Sequence, residues 1–118
     1  FTTGDIYGEA AKAAQLLEAA GVRPTVYTFP TVKPLDVETV EKCVDTHRLI
    51  VTCEEHNVMG GLGTAVAEAM AERSGKANLL RVGIEGGYCG DVGDQNHLRR
   101  KYGLCGDQIA ERIRNALR

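Results

Sequence analysis

Leu49-Ile50-Val51-Thr52-Cys53 is an unbroken run of apolar and β-branched residues. A run without polar alternation is what a strand shows when both its faces are covered, as in a parallel sheet between helices. The character of the chain then changes at once. Glu54-Glu55-His56-Asn57 brings charge, and Gly60-Gly61-Leu62-Gly63 brings backbone freedom. Leu62, Ala65, Val66, Ala69 and Met70 next recur at helical spacing, with Gly75 as the stop. A buried strand, a polar glycine-rich loop and a helix in that order confine the chain to the α/β class.

The same alternation extends along the sequence. Asp5 stands where a helix N-cap is expected, and Ile6, Ala10, Ala13, Ala14, Leu17 and Ala20 follow a helical period that Gly21 ends. Thr25-Val26-Tyr27-Thr28-Phe29 reads as a strand. Pro30 and Pro34 bracket a connector, and Asp36 can cap a helix with Val37, Val40 and Val44 on one face. Leu79-Leu80-Arg81-Val82-Gly83-Ile84 is a further strand. Asp94 can cap a short helix ending near Tyr102, and a last helix carries Ile109, Ile113, Ala116 and Leu117. Phe1-Thr2-Thr3 enters Gly4-Asp5 like the last residues of a strand, so the first strand is expected to be cut off and the chain to be a piece of something longer. The order βαβαβαβ followed by two helices predicts a three-layer α/β/α sandwich around a mostly parallel sheet, one domain over residues 1–118.

Lys plus Arg is 14 and Asp plus Glu is 16, a net charge of −2, which excludes a nucleic-acid binder that relies on overall positive charge. With 43% hydrophobic residues the chain is not disordered, and no apolar run approaches the roughly 20 residues that span a bilayer. Cys43, Cys53, Cys89 and Cys105 form no Cys-x-x-Cys pair. They read as free thiols of a cytoplasmic, reducing compartment, with Cys43 and Cys53 in or beside buried elements.

In open parallel sheets, ligands gather beyond the carboxyl ends of the strands, which singles out three loops. Thr2-Thr3-Gly4-Asp5 suits either a phosphate cradle or a plain strand-to-helix turn with a cap. In the segment Glu54–Gly63, His56 beside Glu55 could serve acid–base chemistry, and the following helix offers its first N–H groups to an anion or a partner carboxylate. Neighbours on an extended chain point to opposite faces, so packing, capping or an interface explains the same residues. The third loop, Glu85–Asp94, suits a mobile active-site or interface loop or a plain connector; Asp91 and Asp94 could bind a cation but lack EF-hand spacing. His47 and His97 read as surface or capping residues, and Arg99-Arg100-Lys101 as a solvated face.

Taken together, these loops resemble the C-terminal domain of transketolase-like, thiamine-diphosphate-dependent enzymes. Thr3-Gly4 with its Ala-rich helix to Gly21-Val22 is similar to the family's opening, and Thr31-Val32-Lys33-Pro34-Leu35-Asp36 to its "TIKPLD" segment. Val51 through Glu68 is similar to its most distinctive stretch, and Val82-Gly83-Ile84, Gly93-Asp94 and Lys101-Tyr102-Gly103-Leu104 agree with its tail. Glu54-Glu55-His56-Asn57 with Gly60-Gly61-Leu62-Gly63 is closest to transketolases and their separate C-terminal subunits. Pyruvate dehydrogenase β subunits and deoxyxylulose-phosphate synthases share the domain but usually vary at His56. The departure is Glu85–Gly90, where the family more often has an Asp and a Phe.

The resemblance implies an α/β/α sandwich with a mixed sheet, in which one early strand, placed before this chain starts, is antiparallel. It also implies an enzyme that moves a two-carbon ketol unit between sugar phosphates. Thiamine diphosphate and a divalent metal such as Mg would lie between two other domains, so no catalytic, cofactor-binding or metal-binding residue is expected here and the isolated domain is expected to be inactive. Glu55, His56, Asn57, Gly60, Gly61 and Gly63 would face a domain interface or the active-site approach. The partners implied are the other transketolase domains or an N-terminal subunit, in a homodimer or heterotetramer, without nucleic acid or membrane. The alternatives are the C-terminal docking or dimerisation domain of a 2-oxoacid dehydrogenase β subunit or a deoxyxylulose-phosphate synthase. A flavodoxin-like carrier is a rival of another class, although 5% aromatic residues leave few rings to sandwich a flavin.

Overall fold

The computed structural model describes residues 1–86 and 92–118. After a 3₁₀ turn over Gly4–Ile6 come α1 (Tyr7–Ala19), α2 (Val37–Thr46), β1 (Leu49–Asn57), α3 (Leu62–Ala71), β2 (Asn78–Ile84), α4 (Gln95–Lys101) and α5 (Gly106–Leu117). β1 and β2 pair in parallel, with Leu49 opposite Asn78 and Cys53 opposite Val82. Thr2 extends the sheet on the other side of β1, making parallel bridges to both Cys53 and Thr28. Its N–H donates to the Tyr27 carbonyl at 2.9 Å and its carbonyl accepts from Phe29 N–H at 2.7 Å, while Cys53 N–H donates to the Phe1 carbonyl at 2.8 Å. Across the sheet the order is therefore residues 27–29, residues 1–2, β1, β2. The direction of winding reverses between residues 1–2 and β1, the position where crevices form in open α/β sheets.

Strand alternation sorts the core onto two faces. Cys53 and Val82 pack with Ile6, Ala13, Leu17, Leu104, Ile109 and Ala110, under α1 and α5. Ile50 packs with Phe29, Val40, Cys43, Val44, Leu62 and Val66, under α2 and α3. The three-layer expectation holds, and every pairing among the described residues is parallel. No helix among them is long and apolar enough to cross a membrane.

Three local expectations are corrected. The strand foreseen over Thr25–Phe29 shrinks to one bridge at Thr28; Pro24 and Pro30 flank it and have no N–H for a ladder. Asp5 does not cap α1. It lies inside the 3₁₀ turn, which Gly4 enters at φ +74°, and no side-chain cap is made there. α3 ends at Ala71, ahead of Gly75. Gly75 instead allows close packing, since a Cβ there would stand 1.9 Å from Val44 Cγ1. The caps expected of Asp36 and Asp94 form, by bonds from Thr39 N–H at 3.1 Å and His97 N–H at 2.8 Å.

Cys43, Cys53 and Cys105 are free, and Cys89 lies outside the described residues. Burial pushes the Cys53 thiol up to about 11. Cys53 therefore remains a protonated thiol at pH 8. In the native protein at that pH, maleimide should label Cys105 and spare Cys53 and Cys43, which are 4% and 2% exposed. Mass spectrometry of the labelled peptides checks this, with full labelling after denaturation.

Candidate functional site

β1 carries Glu54 out of the apolar run and into a fully buried position, 0% exposed. A buried carboxylate requires donors. Leu62 N–H reaches Glu54 Oε1 at 3.0 Å and Gly63 N–H reaches Oε2 at 2.7 Å. These are the first amides of α3, which have no partner within the helix, and its positive end favours a carboxylate. The partner carboxylate anticipated for this helix thus comes from the same chain.

Close contacts account for three glycines, the first of them at Glu54 itself. A Cβ on Gly61 would stand 1.9 Å from Glu54 Oε1. A Cβ on Gly63 would stand 2.9 Å from Thr52 Oγ1, and one on Gly83 2.9 Å from the His56 carbonyl oxygen. Thr52 is 0% exposed, and its hydroxyl has no hydrogen-bond partner.

Around Glu54 the strand register shifts between Cys53 and Asn57, an irregularity of the kind that re-aims side chains. Glu55 takes both oxygens to Gln95 Nε2, at 3.2 Å each, and accepts from Arg99 Nε. Arg99 also donates to the Asp5 carbonyl at 3.1 Å and lies 3.9 Å from Glu9 Oε1. Glu9 in turn accepts from Gly106 N–H, the first residue of α5, at 2.7 Å. Gly106 lets α5 approach α1, since a Cβ would lie 2.6 Å from Lys12 Cβ. Two helices therefore start on carboxylates lent by distant elements.

His56 and Asn57 are exposed and continue into a bonded turn. Asn57 Oδ1 accepts from Met59 N–H at 2.9 Å; Thr64 Oγ1 accepts from Gly60 N–H at 2.8 Å and donates to the Val58 carbonyl at 3.2 Å. Gly60 has φ +85°, and Met59 is 77% exposed at the tip. No hydrogen bond joins His56 to Glu55, so the acid–base pairing weighed for these neighbours is not assembled. Gly60, Gly61 and Gly63 serve turn, close contact and helix packing respectively.

Sequence reasoning misses Arg99 and Glu9. Arg99 reads from the sequence as part of a solvated face, but its side chain is 12% exposed and turned inward. The signal for Glu9 is an acid on the apolar stripe that Ile6, Ala13 and Leu17 share. His47 behaves as expected, half-buried with Nδ1 2.9 Å from Thr46 Oγ1. Asp94 is a helix cap, and Asp91 lies outside the described residues. Among the described residues no three His, Cys, Asp or Glu side chains are grouped to hold a metal.

Burial raises the Glu9 carboxyl, but the Gly106 N–H together with Lys12 and Arg99 outweighs it and holds Glu9 below the usual carboxylate range. A depressed carboxylate contributes stability above its unfolded value, about 4.3, and loses it as pH falls through the folded value. Glu9→Gln should therefore lower the urea midpoint at pH 7, with the gap to wild type closing as pH falls below 4. Separately, Gly61→Ala should cost about 2–3 kcal/mol by displacing Glu54 from its amides, whereas Thr52→Val should gain about 1 kcal/mol by removing an unpartnered hydroxyl. Urea unfolding measures both.

Comparison with known proteins gives a consistent result. The family model for "Transketolase, C-terminal domain" matches residues 1–109. A transketolase C-terminal section from Methanocaldococcus jannaschii is 39% identical over 111 residues, covering 94% of this chain and 34% of that protein. A 1-deoxy-D-xylulose-5-phosphate synthase from Chlorobium luteolum is 34% identical over 118 residues, covering 100% of this chain and 18% of the relative. One of the subunits of an apulose-4-phosphate transketolase from Actinobacillus succinogenes is 32% identical over 108 residues, covering 92% of this chain and 35% of the relative. A solved split-gene transketolase, described as an inactive β4 tetramer, superposes with a TM-score of 0.86 at 33% identity over 98% of this chain and 36% of that one. The chain thus spans between about a fifth and a third of these relatives' lengths. It belongs to the transketolase C-terminal domain family.

Proposed function

We propose that this chain is the C-terminal domain of a transketolase-type enzyme that transfers a two-carbon ketol unit between sugar phosphates, and that it serves assembly rather than chemistry. The observation that carries this reading is how the Glu54–Gly63 segment spends its charges. Glu54 and Glu55 are consumed by α3, Gln95 and Arg99, while the bonded turn presents His56, Asn57 and Met59 outward. A rigid, largely neutral tip suits a protein interface better than a proton-transfer site. Glu55 supports this tip from within, and Gly60, Gly61 and Gly63 shape it.

Thiamine diphosphate with a divalent metal supplies the carbanion-stabilising chemistry of such enzymes. Among the described residues, the donor set at this end of the sheet does not fit that group. The N-termini of α2, α3, α4 and α5 already face Asp36, Glu54, Asp94 and Glu9, and Arg99 already faces Glu55 and Glu9. Placement of cofactor and metal on the other domains agrees with this. The assembly is a homodimer, or a heterotetramer if the other domains form a separate polypeptide, and its compartment is the cytoplasm. The M. jannaschii section and the split-gene relative support association with separately encoded parts.

The Chlorobium match over 100% of the chain favours a second reading, a deoxyxylulose-phosphate synthase domain. One experiment addresses both. The chain alone should show no turnover with thiamine diphosphate and Mg²⁺, whether given a ketose-phosphate donor with an aldose-phosphate acceptor or pyruvate, which would lose CO2, with an aldotriose phosphate. Addition of the section carrying the remaining domains should produce transketolase activity. Turnover by the chain alone would refute the assembly role, and formation of 1-deoxy-D-xylulose 5-phosphate by the mixture would select the second reading.

A further inference from the structure

Glu55 and His56 lie in the irregular stretch of β1 between its pairings of Cys53 with Val82 and Asn57 with Ile84, where no residue of β2 stands opposite them. The ladder holds the two ends of this stretch, and side-chain bonds hold Glu55 between them. Glu55 is held by Arg99 Nε and Gln95 Nε2, both from α4. α4 is only seven residues long and none of its residues is buried, so packing alone fixes it weakly. Gln108 Nε2 ties α4 to α5 through the Arg100 carbonyl at 3.0 Å. Arg99 ties it to the N-terminal part of the chain: its guanidinium also donates to the Asp5 carbonyl at 3.1 Å and stands 3.9 Å from Glu9 Oε1. One side chain thereby joins the end of β1, the 3₁₀ turn, α1 and α4. Its pairs are largely removed from water, with side-chain exposures of 12% for Arg99, 24% for Glu55 and 10% for Glu9. A fixed planar fork with several acceptors restricts geometry in a way that a flexible ammonium does not.

We propose that Arg99 is a positioning residue, a polar latch that fixes the Glu55–Asn57 segment in the geometry the remaining domains of the enzyme dock against. The docking half rests on the interface reading above; the latch rests on the contacts just given. Arg100, its neighbour on α4, is the natural control. It carries the same charge but pairs at the surface with Asp107 at 2.7 Å, and both side chains are more than half exposed.

The test compares Arg99→Lys, Arg99→Gln and Arg100→Gln in the 118-residue chain. NMR records the backbone amides of Glu55, His56 and Asn57, with those of α2 as a reference. Titration with the section carrying the remaining domains gives the affinity. Both Arg99 variants should move the Glu55–Asn57 amides, leave α2 in place and weaken binding about tenfold or more, the loss expected of a residue that organises an interface. Arg100→Gln should do neither. If Arg99→Gln fails to fold, Arg99→Lys decides, since it keeps the charge and loses only the fork. Unmoved Glu55–Asn57 amides in Arg99→Lys, or equal effects from Arg100→Gln, would overturn the latch. Wild-type chain that fails to bind the remaining section, with the amides still moving in Arg99→Lys, would overturn the interface reading and uphold the latch.

Discussion

Glu54 leaves a strand covered on both faces and has no water to solvate it. Its carboxylate can persist there because the start of α3 supplies two N–H donors at 3.0 and 2.7 Å. The exchange is mutual, since those amides have no intrahelical partner. Glycine is required on both sides of this contact. Gly61 cannot carry a Cβ without striking Glu54, and Gly83 lacks room beside the carbonyl of His56. The helix is thus set against the sheet by charge and hydrogen bonding as well as by Leu62 and Val66 in the core.

Glu9 repeats the device on the other face of the sheet. It leaves α1 to meet the first amide of α5, and Arg99 then connects that pair to Glu55. This network ties α1, the 3₁₀ turn, α4 and α5 to the end of β1, while Glu54 ties α3 to the same strand. Such networks add little stability for the desolvation they require, but they restrict geometry. A domain whose task is to present a defined surface to other domains benefits from that restriction. The exposed turn at Met59 gains the same rigidity from Asn57, Thr64 and Gly60.

Comparison of sequence with structure shows where local rules suffice. Asp36 and Asp94 cap their helices as their positions suggest, because an N-cap acts within three residues. Asp5 has the same residue type before a helical stripe and does not cap, because Gly4 turns the chain and a 3₁₀ turn intervenes. The family resemblance singles out the Glu54–Gly63 segment but does not say what each residue in it touches. Glu55 and His56 adjoin in sequence without hydrogen bonding, while Glu55 and Arg99 meet from distant parts of the chain.

The order of helices, the two ladder strands β1 and β2, their parallel arrangement and the membership of the family were determined by the sequence alone, through periodicity, caps and an ordered set of motifs, whereas the segment Thr25–Phe29 was not. These signals are local, so they survive without coordinates. Only the tertiary structure decided which charges are spent. Glu54 meets Leu62 across 8 residues, Glu55 meets Arg99 across 44, and Glu9 meets Gly106 across 97. No spacing rule encodes contacts of that range; they exist because a buried carboxylate must find donors wherever the fold brings them.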